Sequence, residues 1–268
     1  MIKTVVIGAA GRMGKMLVKQ VLAGPELELS GAAEMPTSPA IGHDAGTVAG
    51  VDTCGVTITD SMPEAVANAD AIIDFSAPES TLACAKLAAE KNCCLVIGTT
   101  GLTDSQSELI RNYGKQGARI VLAPNMSVGI NLLLSLCSRV AATLWPDYDM
   151  EVVEMHHNQK KDAPSGTAVK LAETLAEATG MSYSDDARHG REGHTGARPR
   201  REIGVHALRG GDVVGDHTVV FATEGERIEL THKASSRETF AKGALRAVKF
   251  LTSASPGIYD MQDVLGTK

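Results

Sequence analysis

Within the twelve residues His156-His157-Asn158-Gln159-Lys160-Lys161-Asp162-Ala163-Pro164-Ser165-Gly166-Thr167 the chain places two imidazoles, a pair of ammonium groups and a Ser-Gly-Thr step. An imidazole titrates near neutral pH and can move a proton in either direction. A lysine supplies positive charge. The first amides of a helix are unpaired and lie at the positive end of its dipole, so they attract anions. The run Met150–Met155 before the cluster is valine-rich and strand-like, whereas Ala168–Leu175 after it is strongly helical and Gly180 stops it. The cluster therefore belongs in a strand-to-helix loop with Ser165 as N-cap and the Gly166 and Thr167 amides facing a ligand. Proton donor, cation and amide nest together describe a site for a small organic acid.

A second chemical signature opens the chain. Gly8-Ala9-Ala10-Gly11-Arg12-Met13-Gly14 follows an apolar run and precedes an amphipathic one, Arg12–Leu22. Glycines at a strand-to-helix turn let the backbone approach a pyrophosphate, which the helix N-terminus holds. The spacing is G-x-x-G-x-x-G, a departure from the commoner G-x-G-x-x-G. Glu34 ends the next strand, about 20 residues beyond Gly14, where an acid can accept hydrogen bonds from ribose hydroxyls. Gly98-Thr99-Thr100-Gly101 and Ala123-Pro124-Asn125-Met126 also follow expected strands, at the sheet edge where open parallel sheets bind ligands.

The elements that must position these residues fall into two styles. Strands are expected at Thr4–Ile7, Leu27–Ala33, Ala71–Phe75, Leu95–Ile97 and Ile120–Ala123, alternating with helices, the pattern of a parallel sheet with crossovers. Thr103 and Gln106 have capping-box spacing for a helix that Gly114 or Gly117 would close. Pro36–Ser61 reads as a long loop. Ser127 opens an apolar helix through Val140, with Leu132, Leu136 and Val140 on one face and Leu133 and Cys137 beside it, a helix expected to be buried between layers. Arg209–Asp212 and Glu224–Glu226 read as hairpin turns between strands Ile203–Leu208, Val213–Ala222 and Arg227–His232. Ser235 and Glu238 then have capping-box spacing for a last helix to about Ser253. A second, mixed-sheet domain follows from these antiparallel strands.

Composition excludes several classes. The 268 residues carry a net charge of −6, which argues against a nucleic-acid protein. No apolar run reaches the ~18 residues a membrane helix needs, and the N-terminus has no signal-peptide pattern, so a cytoplasmic protein is expected. Five cysteines, none in a C-x-x-C pair, suit reduced thiols. The adjacent His156-His157 pair lacks metal-ligand spacing, and no metal is expected. Arg188–Arg201 holds five arginines but no aromatics and reads as a mobile loop near an anionic substrate. His206, His217 and His232 lie in expected strands and read as structural.

Taken together, Gly8–Gly14, Gly98–Gly101, Asn125-Met126-Ser127-Val128-Gly129, His156–Thr167, Arg191–Gly196 and His232–Arg237 resemble the dihydrodipicolinate reductase family over almost the whole chain. The resemblance implies an α/β protein in which a Rossmann-like dinucleotide-binding domain (1–126 and 237–268) is joined to an α+β mixed-sheet domain (127–236) that binds substrate and mediates a homotetramer. It implies reduction of 4-hydroxy-tetrahydrodipicolinate, a small dicarboxylate, to tetrahydrodipicolinate by NADH or NADPH. Position by position it makes His156 the proton donor, Lys160 a second donor, His157 a substrate contact, and Gly166 and Thr167 a carboxylate site. The cofactor positions are Gly8, Ala9, Ala10, Gly11, Arg12, Met13, Glu34, Gly98, Thr99, Thr100, Ala123, Pro124, Asn125 and Met126. Two residues depart from relatives: Met35 stands where some carry an arginine suited to a 2′-phosphate, and Lys161 where many are apolar. Two other readings remain at this point, a different nicotinamide oxidoreductase of amino-acid metabolism and a non-catalytic NAD(H) sensor. A sensor would have no use for the His156–Lys160 cluster.

Overall fold

The computed structural model describes all residues, Met1–Lys268, as two compact units: Met1–Val128 with Arg237–Gly266, and Gly129–Ser236 with Thr267–Lys268. The first unit begins with β1 (Ile2–Ile7), α1 (Arg12–Ala23), β2 (Leu27–Ala33), α2 (Ala45–Ala49), β3 (Ile58–Thr59), α3 (Met62–Ala65), β4 (Ala71–Asp74), α4 (Pro78–Lys91), β5 (Cys94–Ile97), α5 (Asp104–Lys115) and β6 (Arg119–Leu122). β4 and β5 are buried along their whole length. That is why their sequences are unbroken apolar runs rather than alternating ones, since helices cover both faces of a parallel sheet. α1 buries Leu17, Val18 and Val21, and Gly14 with them. A Cβ on Gly14 would stand 1.9 Å from the Gly8 carbonyl oxygen. The helix can leave the glycine turn at this angle only without a side chain there.

The structure corrects one reading of this unit, decides a second and adds an element. The segment 36–61 is not one loop: it contains α2 and β3, organised by the Asp44 carboxylate, which accepts the amides of Thr47, Cys54 and Gly55. Of the two glycines expected to close α5, Gly117 does so, at φ +109° just after the Gln116 cap, whereas Gly114 lies buried inside the helix; the Thr103–Gln106 capping box forms as expected. α4 had no expectation at all, because its buried positions are Thr81, Cys84, Ala85 and Ala88, too small to make an apolar stripe legible.

The second unit contains α6 (Val128–Leu144, one residue across the division), β7 (Asp149–His156), α7 (Gly166–Thr179), α8 (Tyr183–Asp186), β8 (Ala187–His189), β9 (Ile203–Arg209), β10 (Gly215–Thr223) and β11 (Glu226–Ala234). Its sheet runs β11-β10-β7-β9-β8. β7 pairs antiparallel with β10 and parallel with β9. The Glu224-Gly225 turn is a true hairpin, but Arg209–Asp212 is not. β9 and β10 flank β7 on opposite sides, so those residues cross over the end of β7 instead of reversing beside it. One sheet face packs on α6 and α7 through Val152, Val205, Val219, Phe221, Leu171 and Leu175. α6 buries Ile130, Leu133, Leu134, Cys137 and Ala141. Leu133 and Cys137 are buried as expected, but Leu132 and Leu136 lie outside that stripe and are 45% and 41% exposed.

The chain then returns to the first unit with α9 (Glu238–Ser253), β12 (Gly257–Tyr259) and α10 (Met261–Leu265). The first sheet is fully parallel in the order β12-β6-β5-β4-β1-β2-β3, with β12 on the β6 edge. α9 packs Ala241, Ala244, Ala247, Val248 and Leu251 into the core. Its N-cap is Arg237, with no side-chain cap, so the expected Ser235–Glu238 box does not form. No helix is long and apolar enough to cross a membrane.

Candidate active site

In the first unit the glycine turn, Glu34 and the loops after β4, β5 and β6 gather at the carboxyl edge of the sheet. A cavity of about 500 Å³ is lined by Gly8, Gly11, Glu34 and Met35 with Phe75 and Ser76. A second, of about 300 Å³, is lined by Arg12, Met13, Gly98, Pro124, Asn125 and Met126, with Arg237 and Phe240. Ala9, Thr99 and Ala123 are buried behind these walls; Ala10 and Thr100 line neither cavity. Glu34 Oε1 accepts the Ala10 amide at 3.0 Å, which fixes the carboxylate beside the glycine turn. Gly8 has φ +75°, and a Cβ on it would stand 2.8 Å from the Phe75 carbonyl oxygen. Gly11 caps α1 without a side-chain bond, so nothing from the cap covers the helix mouth. These features fit a dinucleotide: backbone cradle, acid at the ribose end, and a second chamber beyond it.

A carboxylate behind the walls ties two of these loops together. Asp74, fully buried at the end of β4, accepts the hydroxyls of Thr81 at 2.5 Å and Thr99 at 3.2 Å, and that of Ser76. Thr99 Oγ1 in turn accepts the Ser76 amide at 3.0 Å. Burial pushes the Asp74 pKa up against the opposing effect of these hydroxyls.

In the second unit β7 carries Glu154 and His156 two residues apart, so both side chains share the strand's helix-packed face. His156 is 9% exposed and its Nδ1 lies 2.5 Å from Glu154 Oε2. His217 stands opposite Glu154 on β10, and Arg209 opposite His156 on β9. The rings of His156 and His217 meet edge to face with centroids 5.1 Å apart. Arg209 grips Glu154 with both terminal nitrogens, at 2.9 and 3.0 Å. Ser165 caps α7, its Oγ taking the Ala168 amide at 3.2 Å, while its own amide donates to Glu154 Oε1 at 3.0 Å. Gly166 opens that helix, exposed, with open space where a Cβ would lie; Thr167 follows, half-buried. His157 is half-buried, and Lys160 Nζ sits 2.8 Å from Asp162. All five expected residues of this unit thus belong to one strand–loop–helix segment.

Three participants were missed. Glu154 was passed over as part of a strand, Arg209 as part of a turn, and His217 as structural. The i, i+2 spacing of Glu154 and His156 on a strand is a legible signal for the first. Only the β7–β9 and β7–β10 registers reveal the others. The arginine-rich stretch also differs from expectation. Arg191 and Arg198 pair with Glu151, Glu202 and Asp149, and Arg201 pairs with Asp186. Burial would raise the Glu151 pKa, but Arg191, Arg198 and His206 outweigh it and hold it at about 2.

His217 is pushed down to about 4, by burial first and then by the nearby His156. Its folded pKa lies below the unfolded value near 6.5, so the unfolded chain binds a proton first as the pH falls. Stability is complete above about pH 6.5 and declines toward about pH 4 at up to ~1.4 kcal/mol per pH unit. Glu154, whose pKa is lowered, acts in a separate window below the ordinary carboxylate range. His232 is also held below its ordinary pKa, first by burial, and adds slope of the same sign; urea midpoints across pH 4–7 should therefore slope more steeply in the wild type than in His217→Asn, and equal slopes would remove His217 as a cause.

Comparison with known proteins agrees along the whole chain. The family model "Dihydrodipicolinate reductase, N-terminus" matches residues 2–126, and "Dihydrodipicolinate reductase, C-terminus" matches residues 129–265. The 4-hydroxy-tetrahydrodipicolinate reductase of Hahella chejuensis is 50% identical over all of both chains. That of Anaeromyxobacter dehalogenans is 49% identical over 100% of this chain and 99% of its own. A dipicolinate-bound dihydrodipicolinate reductase from Paenisporosarcina sp. TG-14 superposes with a TM-score of 0.79 at 26% identity, covering 98% of each chain. An amine dehydrogenase from Mycobacterium smegmatis, at 14% identity and TM-score 0.62, shares the fold. Two family models that together span the chain, and full-length relatives at half identity, leave one conclusion: the chain belongs to the dihydrodipicolinate reductase family.

Proposed function

We propose that this chain reduces 4-hydroxy-tetrahydrodipicolinate to tetrahydrodipicolinate, consuming NAD(P)H and a proton and releasing NAD(P)⁺ and water. The observation that carries this reading is the His156–Thr167 segment, a buried imidazole, a half-buried ammonium and an open helix mouth on a chain homologous end to end with such reductases. The bound nicotinamide supplies a hydride. His156 supplies the proton that the reduced, electron-rich substrate must take up. Lys160 and the Gly166-Thr167 amides hold the two carboxylates, and His157 borders them. The dipicolinate bound by the Paenisporosarcina relative is a ligand of this class. We assign dinucleotide binding to 1–126 and 237–268, and substrate binding and homotetramer contacts to 127–236. The sheet face away from α6 and α7, with Val153, Met155, Val220 and the 45% exposed Leu208, is the surface that suits association. A steady-state assay with enzymatically generated substrate tests the reading. Turnover should be competitively inhibited by pyridine-2,6-dicarboxylate and far less by a monocarboxylate; no turnover with either cofactor would refute it.

The cofactor is NADH or NADPH, and the adenosine end bears on the choice. Glu34 favours a free 2′-hydroxyl, and the neighbouring Met35 is 62% exposed and uncharged. Met35→Arg should shift kcat/KM toward NADPH several-fold, on the order of 1 kcal/mol, because an exposed pair is worth little more. In the parent, NADH should serve at least as well as NADPH. A tenfold NADPH preference there would transfer control to Arg12 and Lys15 on α1.

A further inference from the structure

Glu154 is a carboxylate with no solvent exposure at the heart of the second unit. Its two oxygens receive hydrogens from three places: the His156 ring, the Arg209 guanidinium and the Ser165 amide. Burial would raise its pKa, but Arg209, His156 and the Ser165 amide outweigh that and keep it below the ordinary range. Glu154 is therefore ionised, and an ionised carboxylate only accepts. At 2.5 Å the atom facing it, His156 Nδ1, must be the donor. The lone pair of the neutral ring is then at Nε2. Gly215 flanks that edge: a Cβ on it would stand 3.0 Å from Nε2, so its absence keeps the atom uncrowded.

We propose that Glu154 is a positioning residue for the reduction. It keeps a proton on His156 Nδ1, so that Nε2 is the atom that exchanges the proton with substrate: the imidazolium gives up its Nε2 proton and is left as the neutral Nδ1–H ring. Through the Ser165 amide the same carboxylate seats the mouth of α7, which locks the proton donor and the carboxylate site into one frame. Arg209 completes the device. Its charge keeps Glu154 from drawing the proton off His156, and its donation to the Asp162 carbonyl at 2.7 Å braces the loop that carries Lys160. The inference rests on the assignment of His156 as the proton donor. A buried ion pair that merely closes the end of a strand would cost stability when cut and leave the ring's tautomer alone.

The test combines ¹⁵N NMR of histidine-labelled protein with kinetics. His156→Gln identifies the His156 ring signals, which are then titrated upward in pH until the ring holds one proton. The expected result is an Nδ1–H ring in the wild type and loss of that bias in Glu154→Gln. The kcat of Glu154→Gln should fall roughly 10-fold or more, as expected for a misdirected imidazole, while NADH affinity stays within about twofold. Glu154→Asp, which keeps the charge, should recover part of the loss. An Nε2–H ring in the wild type overturns the proposal, and that measurement needs no variant to fold. Full kcat in Glu154→Gln beside an inactive His156→Ala overturns the proposal alone. Full kcat in His156→Ala overturns the assignment of His156 and the proposal with it.

Discussion

His156→Ala is expected to lower kcat by roughly 10²-fold or more while NADH affinity stays unchanged, the loss usual for a positioned general acid. The residues that line the two cavities of the glycine-turn edge all belong to the first unit, whereas His156 belongs to the second. It contacts Glu154 and the ring of His217. Removing it leaves Glu154 with Arg209 and the Ser165 amide, so the carboxylate keeps charged and neutral donors and the fold should survive. The deletion opens space in a half-polar pocket, and a modest fall in melting temperature is consistent with that. Steady-state kinetics beside nucleotide titration decide the matter: near-normal turnover in a folded variant would refute His156 as the proton donor.

What could be read from residues alone depended on how local its cause was. The parallel strands β4 and β5 were legible because a strand covered on both faces is apolar along its whole length, a property of four consecutive residues, and β1, β2 and β6 were legible through the apolar part of each. The Ser165 cap and the Gly180 stop were legible for the same reason, each being set within one turn of α7. The sheet order of the second unit was not. Whether Arg209–Asp212 reverses beside β9 or crosses β7 is decided by which strand takes the place next to β9, and β7 is about 50 residues distant in sequence. That topology, not any motif, brings Arg209 and His217 against Glu154. The histidine cluster was legible as the place for the proposed proton donor, but the residues that pack against it are set by register. α6 gives the converse case: its leucines were read as one buried face, yet Leu132 and Leu136 fall outside the stripe that meets the sheet. Periodicity ranks faces of a helix; the neighbours decide how wide the buried one is.

Lys160→Ala should reduce kcat/KM by about 10²-fold, some 2.7 kcal/mol, divided between a raised KM and a lowered kcat. The ammonium is mostly sheltered, its side chain 20% exposed, and it pairs with Asp162 at 2.8 Å. Asp162 is the more exposed partner at 62%, and its pKa is lowered first of all by the hydrogen bond from Lys160. A substrate carboxylate entering beside the Gly166-Thr167 amides must take that ammonium over from Asp162. Its gain is then the difference between two ion pairs, smaller than a fresh pair would give. The contrast follows directly. Asp162→Asn removes the competitor without removing the cation, so KM for the dicarboxylate should stay level or fall. Lys160→Ala removes the cation itself, and both ground state and transition state lose it. A lysine that serves only to fix the loop predicts the opposite pattern. In that case Lys160→Ala and Asp162→Asn would lower the melting temperature alike, since each cuts the same bridge, and the kinetics of both would remain those of the parent.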